Sequence, residues 1–328
     1  MNKYLTRKVR QLRENIGKPI EGTPRVTLVQ VCGKVYQLLF LSCGCKNACT
    51  FCNYGFDYDL TKETVMPELE KIILENYDIE VLELEANGSF LDEREIPHDL
   101  FISVLEFVKG RNIPEIEIET HYRTVTEEKL RVIREILGKD QEIAFEFGFE
   151  SSSERVRRFY NKDINNDEFV KVLELCKKYE ISAGINVLLG APFLSREQQI
   201  KDCLDTLDFI YGNCPKGTRC ILFPINIKAY TMIDVWRKKG LYKQISSWEF
   251  VEFLYRIPEK YYDRFTIAWW GERGNTFSDP NEITHPITCE KCHDELMDFY
   301  RKFYLSKDPV YKRKLVCDMW AKRCECDM

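Results

Sequence analysis

Long apolar runs are missing from this chain of 328 residues. None approaches the roughly 18 to 20 uninterrupted apolar residues that a bilayer crossing demands. Met1–Arg25 is too basic and polar to hold the apolar stretch of a secretory leader, so the expected setting is cytoplasmic, with no membrane partner. Histidine is scarce, at four residues, and no His-Glu-x-x-His helix motif occurs. Gly-x-Ser-x-Gly, G-x-G-x-x-G and a phosphate-loop lysine motif are absent too, which removes the common signatures of zinc proteases, serine hydrolases and nucleotide-binding open sheets. The fourteen cysteines are too few for a disulfide scaffold, which needs more than about 8%, and a cytosol would keep unliganded ones as thiols. Metals or burial must account for their spacing.

Charge is unevenly spread, although the net value is only -5. Met1–Arg25 holds seven Lys and Arg against two Glu, and Arg301–Arg323 holds eight against Asp308 and Asp318, which leaves the intervening body strongly acidic. Two basic ends suit contact with phosphates or plain solvated helices, whereas an acidic body repels phosphate.

Six short, apolar, β-branched runs recur, at Tyr36–Ser42, Ile79–Leu84, Glu115–Glu119, Ile143–Phe147, Ser182–Leu189 and Cys220–Ile227. After the first gap they start about 30 to 40 residues apart, the length that a strand, a helix and two loops require. Between them, Phe169, Val172, Leu173 and Cys176 recur at helical spacing. The pattern predicts an α/β fold, a partial (β/α)6 parallel barrel with a small cysteine-containing extension at its C-terminal end. The expected divisions are a basic N-terminal segment over 1–34, the barrel over 35–240 and the extension over 241–328. Barrels of this kind place their chemistry at the carboxyl ends of the strands, and the polar and glycine clusters below fall there.

Just after the first run the chain reads Cys43-Gly-Cys45-Lys-Asn-Ala-Cys49-Thr-Phe51-Cys52. Cys45, Cys49 and Cys52 are spaced C-x3-C-x2-C. Three thiolates on one tight loop can hold three irons of a cubane whose electron-transfer versions use four, leaving one iron open to a ligand. Zinc would need a fourth ligand nearby, and Cys43, two residues from Cys45, is an awkward partner.

This spacing, with an aromatic residue between the last two cysteines and a six-unit βα barrel around it, resembles the signature of the radical S-adenosylmethionine superfamily. The resemblance implies a [4Fe-4S] cluster on Cys45, Cys49 and Cys52, whose open iron chelates S-adenosylmethionine. One electron, from a donor such as flavodoxin or ferredoxin, then cleaves the sulfonium to methionine and a 5′-deoxyadenosyl radical that takes a substrate hydrogen. It also implies that Phe51 packs by the adenine. Asn87-Gly88-Ser89 takes the place of a Gly-Gly-Glu segment that contacts the methionine amino group, with the glutamate absent. Glu119 would bind that amino group. Gly148-Phe-Glu150-Ser-Ser resembles a Gly-x-Glu-Ser segment of the methylthiotransferase-like branch, with Lys162 set for the cosubstrate carboxylate and Asn186 for the ribose hydroxyls.

Towards the C terminus, Cys289-x2-Cys292 and Cys324-x-Cys326 can converge on a tetrahedral site for zinc or an auxiliary iron-sulfur cluster, with His285, His293 and Cys317 as spare ligands. This tail, Asn87 to Asp92, Gly148 to Ser152 and Asn226 together resemble the radical subunits of the archaeosine synthase family. That resemblance implies C-N bond cleavage in a lysine-bearing 7-deazaguanine of tRNA, an amidine left on the base, and a separate lysine-transferring partner subunit. Asn226, Lys228 and Tyr230 are candidate substrate contacts. Two other readings stay open: a radical enzyme acting on a small metabolite or peptide, and a non-catalytic iron-sulfur or zinc scaffold.

Overall fold

A computed structural model of the chain describes residues 1–14, 25–31, 34–40, 44–54, 60–72, 80–86, 88–111, 113–268, 283–286 and 288–324. Helix α1 (Lys3–Arg13) leads into the strands β1 (Arg25–Val31) and β2 (Lys34–Phe40), followed by α2 (Lys62–Ile72), β3 (Val81–Glu85), α3 (His98–Lys109) and β4 (Glu115–Thr120). Next come α4 (Glu127–Leu137), β5 (Glu142–Glu150), α5 (Glu154–Phe159), α6 (Asn166–Lys178), β6 (Ser182–Leu189), α7 (Arg196–Asn213) and β7 (Arg219–Pro224). The chain continues through β8 (Ile227–Lys228), α8 (Met232–Lys238), α9 (Ser247–Arg256), β9 (Phe265–Ile267), β10 (Ile283–Thr284), α10 (Glu290–Leu305) and α11 (Pro309–Ala321).

All six expected strands form, as β2 to β7, side by side and parallel in chain order. Two strands outside the expected set flank them: β1 pairs antiparallel with β2, and β9 adds a parallel edge to β7. The edges β1 and β9 stay apart, so the sheet is an open arc of eight strands. Beyond residue 240 the chain is woven into this body, since β9 extends the sheet and β10 pairs antiparallel with β8.

The helical layer has local causes. In α6 the side chain of Asn165 caps the helix through the Glu168 amide, Asp167 and Glu168 sit in the first turn and Lys177 and Lys178 in the last, and Phe169, Leu173 and Cys176 are buried. Ser195 with Gln198 and Ser246 with Glu249 form reciprocal capping boxes at α7 and α9. Among the described residues no helix is long and apolar enough to cross a membrane.

Alternation in the strands sorts apolar from acidic residues. Ile116, Ile118, Ile143, Phe145 and Phe147 join the core beneath the helices. Their neighbours, one residue on, must point to the other face of the sheet. Register then brings Glu83 beside Glu117 and Glu119 beside Glu146, so the inner face of the arc carries Glu83, Glu85, Glu117, Glu119 and Glu146.

Each basic end turns one cation into the fold and leaves most of the others at the surface. Helix α1 packs Leu5, Val9 and Leu12 against Ala48, Met232 and Trp236, and Arg13 is buried. At the other end Lys312 is buried and reaches the Phe265 carbonyl, and Arg313 donates to the Tyr255 carbonyl and the Tyr262 hydroxyl. Lys302 and Lys322 pair with Asp298 and Glu295. Lysine and arginine stems cover apolar surface well, and here the heads find a strand carbonyl, a tyrosine hydroxyl and carboxylates of α10. Lys3, Arg7 and Arg10 of α1 remain exposed.

Candidate active site

The loop that carries Cys45, Cys49 and Cys52 is held by hydrogen bonds to most of its carbonyls and from three of its amides. The Lys46 amide donates to Glu95 Oε1 at 2.7 Å, and the Thr50 amide to the Tyr160 carbonyl at 3.1 Å. The Cys52 amide closes on the Cys49 carbonyl at 3.4 Å, and the Ile233 amide donates to the Thr50 carbonyl at 3.1 Å. Asn161 Nδ2 donates to the Ala48 carbonyl at 2.8 Å, and Arg13 reaches the carbonyls of Cys45, Asn47 and Cys52. A loop near a protein interior needs such partners, because an unmet backbone group costs as much as a lost hydrogen bond. The outside partners come from four separate places in the chain, Arg13, Glu95, Tyr160-Asn161 and Ile233, which fixes where the loop stands.

Cys45 feels both other thiols, and Cys49 feels Cys52. Burial pushes the Cys49 thiol up to about 11, and Lys162 pulls against it. Burial also raises Cys45 well above the ordinary range, with Glu95, Cys52 and Cys49 adding to the rise. Cys45 and Cys49 resist ionisation where they lie, and a bound cation would be needed to hold them as thiolates, as metals do. The Tyr54 amide already donates to Cys52 Sγ at 3.4 Å, a bond that would also serve a coordinated sulfur. Among the described residues the only group of three metal-binding side chains with all ligand atoms within 4.8 Å lies elsewhere. The triplet is spread more widely than one tetrahedral zinc allows, since Zn–S bonds near 2.3 Å set the sulfurs at about 3.8 Å. The donor set and its spread fit a multi-iron cluster.

The fourth strand end meets this loop through a buried ion pair. Lys162 Nζ donates to Glu150 Oε1 at 2.7 Å and to the Gly148 carbonyl at 2.8 Å, with the two side chains only 13% and 8% exposed. The register of β5 on β6 slips between Gly148 and Glu150, and Glu150 takes a left-handed φ of 68°. Strain of this kind persists where neighbours over-determine it. Gly148 leaves room for the lysine, because a Cβ there would stand 2.5 Å from Lys162 Nζ. Lys162 Nζ also lies 5.9 Å from the centre of the Phe51 ring, which packs edge-on against Tyr160. Arg157, buried beneath, holds the Ser151 and Ile164 carbonyls and Asn166.

Glu119 stands on the inner face, partly open at the barrel mouth yet ringed by protein. Burial, with Glu85 and Glu146 nearby, pushes its carboxyl well above the ordinary carboxylate range, and Lys162 opposes this. Asn186 Nδ2 donates to Glu146 Oε1 at 2.8 Å, while its buried Oδ1 has no partner among the described residues. Lys228 Nζ sits 4.1 Å from the centre of the Tyr54 ring. Burial would depress this lysine, but Tyr54, Cys52 and Glu85 outweigh it and leave its pKa raised. Such a face attracts ammonium groups.

Other expected residues fall differently. Asn87 and Cys43 lie outside the described residues. Ser89 is 1% exposed, and its hydroxyl is engaged by Thr120, Thr124 and the His121 amide, all at 3.1 Å or less. Asn226 Oδ1 lies 3.4 Å from His285 Nδ1 at the end of β10, and Tyr230 takes a φ of 60° just before α8.

Two residues absent from the expected set complete the site. Glu95, 2% exposed, receives the Ser89 amide at 2.6 Å as well as the Lys46 amide, tying the second loop to the cysteine loop. Burial raises its carboxyl to about 7. A Cβ on Gly88 would overlap that carboxylate, which gives the glycine its reason. The other residue is Arg13.

In the tail, the sulfurs of Cys289, Cys292 and Cys324 all lie within 4.8 Å of one another. Cys289 precedes α10, Cys292 lies in its first turn and Cys324 follows α11, so the turn between those helices brings the pairs together. Cys317 and the two tail histidines are not in this group, and Cys326 lies outside the described residues.

Comparison with known proteins agrees with this geometry. Residues 39–208 match the family model described as the Radical SAM superfamily. The chain is 27% identical over 320 residues to archaeosine synthase subunit beta of Methanosarcina acetivorans, covering 93% of this chain and 86% of that protein. It is 25% identical over 300 residues to an uncharacterized protein of Methanocaldococcus jannaschii, covering 84% and 77%. Among solved structures, methylornithine synthase superposes with a TM-score of 0.50 at 18% identity, over 81% of this chain and 71% of that one. The Elp3 protein of Methanocaldococcus infernus gives 0.51 at 14% identity, over 72% and 57%. These two likenesses concern the fold.

Proposed function

Because the chain belongs to the radical SAM superfamily, we propose that it is the radical subunit of a tRNA-modifying enzyme, cleaving a C-N bond in a lysine-bearing 7-deazaguanine to leave an amidine on the base. Cys45, Cys49 and Cys52 would hold a [4Fe-4S] cluster, with S-adenosylmethionine as cosubstrate. Bound together, these supply a one-electron cleavage of the sulfonium and a primary carbon radical able to take a hydrogen from an unactivated carbon.

The chain's own residues serve binding and orientation. Lys162, oriented by Glu150 and the Gly148 carbonyl, presents a cation for the cosubstrate carboxylate, and Glu119 an acceptor for its amino group. Phe51 offers a ring to the adenine, and Asn186 Oδ1 an acceptor to a ribose hydroxyl. Asn226, Lys228 and Tyr230, at and beyond the end of β7, would face the substrate. A lysine-transferring partner subunit and a one-electron donor of the flavodoxin or ferredoxin kind complete the system.

The observation that carries this reading is the similarity to archaeosine synthase subunit beta, which runs through barrel and tail alike. The acidic body of the chain, which repels phosphate, favours a second reading, a radical enzyme for a small molecule. One assay separates them. Anaerobic protein with dithionite and S-adenosylmethionine is given tRNA carrying the lysine-modified base, or that base as a free nucleoside. Amidine-bearing tRNA formed with 5′-deoxyadenosine supports the tRNA reading, and turnover of the nucleoside alone overturns it.

For the tail we propose one zinc ion on Cys289, Cys292 and Cys324, with Cys326 as fourth ligand, because the sulfurs are gathered as tightly as a mononuclear site requires. Cys292→Ser is expected to lose one zinc per chain, by metal analysis. Its Tm should fall by about 3 °C, since a loss of about 2 kcal/mol is divided by an unfolding entropy that grows with chain length. Iron bound in place of zinc would point to an auxiliary cluster.

A further inference from the structure

Arg13 ends a helix that lies outside the barrel, yet it is buried, at 6% exposure. The helix is anchored at its start, where the Asn2 amide donates to Asn161 Oδ1 at 2.8 Å, and in its middle, where Val9 is fully buried against Ala48 and Met232. Its last turn therefore arrives at the cysteine loop at a fixed height. There Nη1 donates to the Asn47 carbonyl at 2.7 Å and to the Cys45 carbonyl at 3.4 Å, and Nη2 to the Cys52 carbonyl at 3.1 Å. One guanidinium thus gathers the first and last cysteines of the triplet.

The electrostatics of this placement are unusual. Among the described residues no carboxylate lies within ion-pair distance of Arg13, and its buried Nε has no hydrogen-bond partner. A buried cation without a counter-ion is costly, and carbonyl oxygens offset that cost only through their dipoles. The anion that would balance it is the one the loop is built to hold: three thiolates around an iron-sulfur core carry net negative charge, and reduction adds another.

We propose that Arg13 is a positioning residue for the cluster, fixing the loop through the Cys45, Asn47 and Cys52 carbonyls and serving as the buried counter-charge that eases one-electron reduction. The inference rests on the cluster reading above. Cluster potentials respond to net charge and to hydrogen bonds around the sulfurs, and a charge in a buried setting is felt more strongly than one in water. Lysine would keep the charge but lose the planar fork that spans three carbonyls.

The test compares wild type, Arg13→Gln and Arg13→Lys after anaerobic reconstitution, by iron analysis and by electron paramagnetic resonance at one fixed ambient potential set with redox mediators. Wild type and both variants are expected to hold about four irons. The ratio of reduced to oxidised cluster should fall about tenfold in Arg13→Gln and stay within about threefold of wild type in Arg13→Lys, as expected for an effect of charge. An unchanged ratio in Arg13→Gln overturns the proposal, as does an equal fall in Arg13→Lys. If Arg13→Gln takes up no iron, Arg13→Lys decides alone: a near-wild-type ratio supports the role and a tenfold fall overturns it. A wild type that binds no iron sinks the cluster reading itself, and this inference with it.

Discussion

Replacing Cys45, Cys49 and Cys52 together by alanine is expected to remove about four irons per chain while the tail keeps its zinc, and to reduce 5′-deoxyadenosine formation by more than about a thousandfold, the order of loss when a whole catalytic unit is taken away. Metal analysis of anaerobic protein and product chromatography measure both. The fold should survive the change. The loop is held by the Glu95, Asn161, Tyr160, Ile233 and Arg13 contacts, none of which uses a sulfur atom. Cys49 is buried and Cys45 and Cys52 half-buried, and each alanine removes a single sulfur atom, so little empty space is left behind. A triple variant that retained its iron would place the cluster elsewhere and remove the basis of the proposed chemistry.

How much of this was legible before the structure depends on whether the signal was local. The six parallel strands announce themselves through short β-branched runs at βα spacing, because the face each strand turns to the helices must be apolar. The acidic inner face was legible too, in Leu-Glu-Leu-Glu at 82–85 and Glu-Ile-Glu-Ile-Glu at 115–119, once period two is applied to the carboxylates as well as to the apolar partners. Reading only Glu119 there missed Glu85 and Glu146. Strand β1, Arg-Val-Thr-Leu-Val-Gln-Val, carries an equally plain pattern but stands before the βα rhythm begins. Strand β9 has three residues, too few for any period to show.

Glu95 and Arg13 were not legible in the same way. Each acts on a segment remote in sequence: Glu95 bonds to Lys46, 49 residues away, and Arg13 to carbonyls 32 to 39 residues on. A single arginine in a basic helix looks like its neighbours, and only docking of Val9 selects which cation turns inward. Gly88 held a faint clue, since a glycine after Asn87 reads as a turn, whereas its real constraint is the Glu95 carboxylate packed against its Cα. The same long-range logic diverted Lys312 and Arg313, since a charge count said nothing of the Phe265 and Tyr255 carbonyls waiting for them.

The Lys162 and Glu150 pair carries the second large expectation, because it joins stability to cosubstrate binding in one contact. Lys162→Met leaves the Glu150 carboxylate buried at 8% exposure without its ammonium, and breaking a buried pair from one side costs about 3–5 kcal/mol. Adding Glu150→Gln should recover most of that loss, since an amide and a thioether of similar volume ask for no counter-charge. Urea denaturation of the wild type, Lys162→Met and the double variant reads the difference. Binding of S-adenosylmethionine, followed by equilibrium dialysis, should be lost in both variants, which separates a role in the site from a role in the fold. The sign with pH follows from the lysine. Its pKa is raised, with burial opposing and Glu150 and Cys49 outweighing it, so its stabilisation is fully present below the ordinary lysine value of about 10.4 and is lost only as pH climbs through the raised one. The stability gap between the wild type and Lys162→Met should therefore stay constant from pH 6 to 9 and narrow only in strong alkali. A single variant that costs under about 1 kcal/mol would show that solvent already screens the pair, and that Lys162 is free to swing away from Glu150 without cosubstrate.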